Sequence, residues 1–128
     1  MAATLTAIQL SSRKQPQQNL ARVQQLLQQL PPQRPQLVVL PEAFSCFGAG
    51  DRAQLEMAEV DGEGPVQTAL SNLARQHQIT LIAGTIPLQG SGADAGKRFA
   101  AASLAYGPDG ERLARYDKIH LFDVDVAD

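Results

Sequence analysis

The chain has 128 residues, 44% of them hydrophobic and 19% charged, with a net charge of −2. That is the size and make-up of one globular domain with a single core, neither disordered nor fibrous. There is no basic excess to point to nucleic acid or anionic lipid, and the sparse aromatics argue against base stacking.

Thr4 to Leu10 (TLTAIQL) is a short apolar run that predicts a first strand. It is too short and too interrupted for a signal peptide or a membrane span. Gln15 to Leu30 predicts a helix, with Leu20, Val23, Leu27 and Leu30 at helical spacing and Pro16 suited to a first turn. Ten of the fifteen glutamines fall between Gln9 and Gln36, and the seven within Gln15 to Leu30 fill the polar face of that helix. Pro31, Pro32 and Pro35 end it. Leu37-Val38-Val39-Leu40 is a continuous apolar run between prolines, the pattern of a strand buried on both faces. Strand, helix, strand in this order predicts a parallel pair with a right-handed crossover.

Pro41 to Gly50 (PEAFSCFGAG) then leaves the carboxyl end of the buried strand as a loop, the place where open α/β sheets bind ligands. Asp51 to Val60 predicts a short helix. Pro65 to His77 predicts a longer one, with Val66, Ala69, Leu70, Leu73 and Ala74 on one stripe. Ile79 to Ile86 (ITLIAGTI) is another buried strand, whose central glycine implies close packing or a bulge. Gln89 to Gly96 is a surface loop. Phe99 to Tyr106 and Glu111 to Lys118 are two strands joined by Gly107-Pro108-Asp109-Gly110, a strong hairpin signal. The pattern is an α/β layered domain with a mixed sheet, without repeat or linker.

Two residues carry the candidate chemistry. Glu42 stands two residues after an apolar strand with no charged neighbour close in sequence. Desolvation there would suit a general base or acid, while the plainer alternative is a loop carboxylate capping the next segment. Tyr116 to Asp123 (YDKIHLFD) alternates as a strand should, with Tyr116, Lys118 and His120 on one face and Ile119 and Leu121 on the other. Lys118 either faces water on an edge strand or meets a carboxylate that offsets its desolvation, and Glu42 is the candidate. Paired with Glu42, both buried at one end of the sheet, Lys118 could hold a developing oxyanion; a Schiff base at Lys118 is the lesser option.

The remaining reactive side chains read as structural. Cys46, the one thiol, lies between Phe44 and Phe47 and is expected to be an inert packing residue. His77 closes a helix, where a cation suits the dipole. His120 either tunes Lys118 or packs with its ring hydrogen-bonded. Two histidines at no ligand-like spacing make no metal site, and no glycine-rich turn follows the first strand, so no metal or cofactor is expected. A single cysteine cannot close an internal disulfide, which makes a reducing, cytoplasmic setting the default.

These residues together resemble a known family. Val39-Leu40-Pro41-Glu42, Ala83-Gly84-Thr85, Gly107-Pro108-Asp109-Gly110 and Tyr116 to Asp123, in this order and separation, are similar to the nitrilase superfamily of carbon–nitrogen hydrolases. The resemblance runs from the first strand to Asp128. The segment HLFDVDV looks most like the amidase branch that includes omega-amidases and deaminated-glutathione amidases. The resemblance implies an α-β-β-α sandwich and a glutamate, lysine and cysteine mechanism, with Glu42 and Lys118 as the first two groups.

The family's cysteine follows the lysine strand, so residues 1–128 look like the N-terminal part of one hydrolase domain, about half of the sandwich, with the nucleophile beyond Asp128. One lesser departure is Ala101, where many relatives carry asparagine. The implied partners are a small-molecule amide and further copies of the chain; no nucleic acid and no membrane are expected. Alone, the chain is expected to be inactive. The alternative is a truncated, non-catalytic module of the same fold that binds a ligand or a partner subunit.

Overall fold

The protein is described by a computed structural model covering residues 2–120. In chain order its elements are β1 (Thr4–Ala7), α1 (Pro16–Leu27), β2 (Gln36–Val39), α2 (Asp51–Met57), α3 (Pro65–His77), β3 (Thr80–Gln89), β4 (Phe99–Tyr106) and β5 (Arg112–Asp117). A short 3-10 turn, Gly92–Asp94, interrupts the surface loop between β3 and β4.

The five strands form one sheet in the order β1-β2-β3-β4-β5. β1, β2 and β3 are mutually parallel, whereas β4 and β5 join by antiparallel pairing. The parallel pairs require crossovers, supplied by α1 and by α2 with α3. The antiparallel pair needs only the Gly107–Gly110 turn, closed by Gly110 N–H donating to the Gly107 carbonyl at 2.9 Å. Two antiparallel steps return β5 to the direction of β2 and β3. The carboxyl ends of β2 and β5 therefore lie at the same edge of the sheet, and this positions the site.

Both long helices bury one stripe against one sheet face. α1 contributes Val23 and Leu27, and α3 contributes Val66, Leu70, Leu73 and Ala74. They meet Val38, Leu81, Ala83, Ile86, Leu88, Ala102 and Leu104 from the sheet. Each fully buried leucine or isoleucine contributes about 1.5–3 kcal/mol. α3 starts where Glu59 accepts from the Val66 and Gln67 backbone N–H groups at 2.7 and 3.1 Å, satisfying two of the donors a helix start leaves unpaired. Its other end is met by Arg34, whose guanidinium donates to the His77 carbonyl at 2.8 and 3.1 Å. Asp61, just before α3, pairs with Arg112 and Arg115 of β5. The Arg112 hydrogen bond, foremost, holds the Asp61 carboxyl below its usual range.

Among the described residues, no helix covers the opposite sheet face. Leu5 is 76% exposed and Val39 40%, with Leu113 and Tyr116 also open. This corrects the expectation that β2 is buried on both faces: both crossover helices lie on one side, so Gln36 and Val38 are covered and Val39 is not. The apolar run is the mark of a strand meant for two covered faces, and the described residues cover one. They form a single α-β layer pair, one sheet with helices on one face.

Candidate active site

β2 ends at Val39, and Leu40 N–H still pairs with the Ile82 carbonyl at 2.9 Å before the chain turns away. The turn is tight. Ala43 adopts a left-handed backbone, φ 53°, which costs a residue with a side chain roughly 1–2 kcal/mol unless its surroundings hold it. Thr85 holds it, its hydroxyl accepting from Ala43 N–H at 2.9 Å. Further along, the Ser45 carbonyl accepts from Asn19 Nδ2 at 2.8 Å, and Phe47 N–H donates to the Arg13 carbonyl at 2.9 Å. The loop carrying Glu42 is thus pinned at three points.

Lys118 lies one residue beyond β5, its N–H donating to the Ala101 carbonyl at 2.9 Å. That contact uses only the backbone of residue 101, so an alanine there serves it fully. Lys118 Nζ donates to Glu42 Oε1 at 2.6 Å, the short distance of a charge-assisted hydrogen bond. The two residues singled out in sequence are in contact.

Their surroundings differ from expectation in three respects. The Lys118 and Glu42 side chains are 33% and 64% exposed, not buried, because they stand at the rim of the bare face. The strand predicted through Tyr116–Asp123 stops at Asp117, so the alternation does not carry on to His120. His120 and Ile119 are exposed in a bend, against the packed alternative for His120. Leu121, Phe122 and Asp123 lie outside the described residues.

Cys46 is 1% exposed. It lies on the helix side among Pro16, Met57, Val66, Ile86 and Pro87, and burial raises its thiol pKa. A thiol kept protonated is a poor nucleophile. Phe44 beside it is buried, whereas Phe47 is 62% exposed. Among the described residues no group of three or more His, Cys, Asp or Glu could hold a metal ion. No helix among them is long and apolar enough to cross a membrane.

Sequence reasoning gave Asn19 and Thr85 no role. Asn19 is buried, its Oδ1 accepting from Arg13 N–H at 2.7 Å and its Nδ2 serving the Arg13 and Ser45 carbonyls. A signal existed: Asn19, Val23 and Leu27 recur at four-residue intervals, placing an amide on the buried stripe.

Residues 4–128 match the carbon–nitrogen hydrolase family. The chain belongs to that family. It is 37% identical over 122 residues to a deaminated glutathione amidase of Synechocystis, covering 95% of this chain and 43% of that protein. It is 40% identical over 124 residues to human omega-amidase NIT2, covering 95% of this chain and 41% of that protein. The solved structure of Saccharomyces cerevisiae Nit3, a member of branch 10 of the nitrilase superfamily, superposes with a TM-score of 0.73 at 28% identity, over 88% of this chain and 42% of that one. This carbon–nitrogen hydrolase chain therefore spans less than half the length of these relatives.

Proposed function

We propose that the chain supplies the base and the oxyanion-stabilising cation of an amidase that releases ammonia from a small ω-amide of a dicarboxylic or 2-oxo acid. The observation that carries this reading is the 2.6 Å contact between Lys118 Nζ and Glu42 Oε1, joining the two groups the family resemblance selects. The substrate class rests on the amidase names of the relatives.

The thiol of the mechanism is not Cys46 and comes from outside residues 1–128. Glu42 takes the proton from that thiol, and the thiolate attacks the amide carbonyl. Lys118 donates to the oxyanion that forms. Collapse expels ammonia, which receives the proton from Glu42, and leaves a thioester. Glu42 then takes a proton from water, whose attack on the thioester releases the acid and the thiol. By this reading residues 1–128 alone turn over no amide, since their one thiol is buried and protonated.

The bare face of Leu5, Val39 and Leu113 favours association as well. It suits a homo-oligomer, and equally a non-catalytic module that docks on a partner. Ammonia release from a small ω-amide by the full-length protein carrying this sequence decides between the amidase and the non-catalytic module. Release that collapses in Glu42→Gln supports the amidase; full turnover in Glu42→Gln overturns it.

A further inference from the structure

β2 and β5 are separated in the sheet by β3 and β4. Adjacent strands lie about 4.8 Å apart, so the carboxyl ends of β2 and β5 are separated by roughly 14 Å. Glu42, two residues past Leu40, reaches Lys118 only if its loop crosses β3 just beyond the last β2–β3 pair, Val39 with Ile82. The crossing point is Gly84-Thr85. A Cβ on Gly84 would stand 1.8 Å from the Pro41 carbonyl oxygen and 2.6 Å from that of Leu40, both backbone atoms. The β3–β4 register slips between Ala83 and Ile86, so Gly84 and Thr85 sit in a bulge that leaves the ladder. The next side chain along, Thr85, takes the Ala43 N–H.

We infer that Gly84 and Thr85 are positioning residues that carry Glu42 across β3 to Lys118, Gly84 by admitting the Pro41 carbonyl and Thr85 by holding Ala43 in its left-handed turn. Glu42 is thereby bracketed, with Pro41 seated on Gly84 before it and Ala43 bonded to Thr85 after it. No side chain other than glycine fits the first position. The second needs an acceptor of hydroxyl length, which serine retains and valine, of the same shape as threonine, lacks. The catalytic consequence rests on the amidase reading above; the placement of the loop does not.

Two measurements on the full-length protein carrying this sequence test the inference. The first is hydrogen exchange at the Ala43 amide in the parent, Thr85→Val and Thr85→Ser. Losing one net hydrogen bond speeds exchange roughly 2- to 10-fold in Thr85→Val, and Thr85→Ser restores the slow rate. The second is ammonia release, where Thr85→Val lowers kcat with KM little changed and Thr85→Ser recovers it. Unchanged Ala43 exchange in Thr85→Val overturns the inference, as does an equal loss of kcat in both variants, since serine keeps the acceptor. A parent protein that releases no ammonia refutes the amidase reading, and the exchange result still decides the positioning role.

Discussion

Lys118 Nζ and Glu42 Oε1 meet at 2.6 Å although 76 positions separate them in the chain. The contact follows from topology: β5 runs with β2, so the residues that follow each strand emerge at one edge. An exposed ion pair adds at most about 1 kcal/mol to stability, so fold maintenance alone is a weak reason to build it. On the amidase reading its value is chemical. Glu42→Gln is expected to lower kcat of the full-length protein by about 10²–10⁴-fold. Lys118→Met is expected to lower it about 10²–10³-fold. Groups acting in one step are not additive, so the double variant should be little worse than the poorer single one. Steady-state ammonia release checks all three; losses that multiply would show that the two act separately.

Cys46 provides the contrast within the same loop. It is 1% exposed and its thiol is held protonated by desolvation. Cys46→Ala should leave kcat within about twofold of the parent while lowering stability by about 1 kcal/mol, the ordinary cost of a small buried truncation. Turnover and urea unfolding together separate the effects. A loss of activity on the scale of Glu42→Gln would return Cys46 to the list of reacting groups.

Which features were legible in the sequence follows the range of the forces behind them. α3 spans Pro65–His77 as its pattern predicts, because the glycine and proline at its start and the apolar stripe are local signals. The Gly107–Gly110 hairpin is legible for the same reason. Residue type and motif order single out Glu42 and Lys118, and their contact needs only the topology. Burial was misjudged at Val39, Lys118 and His120. Apolar alternation states which face wants covering, whereas exposure depends on what the chain places there. Asn19 was hidden by composition, one amide within a helix rich in glutamine. Thr85 was noticed as part of a motif, but its role depends on a crossing between strands far apart in sequence.

Asn19 makes a stability prediction that a surface amide would not. Its three hydrogen bonds tie α1 to the segment after β1 and to the Glu42 loop, at 2.7, 2.9 and 2.8 Å. Asn19→Ala leaves the buried Ser45 carbonyl and the part-buried Arg13 N–H short of a partner, at a cost of about 1–3 kcal/mol. Gln18→Ala, on the exposed face of the same helix, should stay within about 0.5 kcal/mol of the parent. Urea midpoints of the two variants measure the difference. Equal midpoints would show that the Asn19 network carries no weight.

His77 gives stability a pH dependence opposite to that of a helix-end cation. A histidine in the last turn of a helix is expected to gain from the dipole when charged. Here burial first, and the nearby Arg34 charge second, lower its pKa below the ordinary 6.5. Its Nε2 is buried and has no hydrogen-bond partner among the described residues, and the cation that serves the helix end is Arg34, bonded to the His77 carbonyl. Protonation is therefore easier in the unfolded chain than in the folded one. Stability contributed by the neutral ring is complete above about pH 6.5 and is lost as the pH falls through the depressed folded value. His77→Gln removes this titration. Between pH 7.5 and 5.5 the urea midpoint of the parent should fall further than that of His77→Gln. The same fall in both proteins, or a parent that gains stability on acidification through this window, would show that the ring is stabilised as the cation after all.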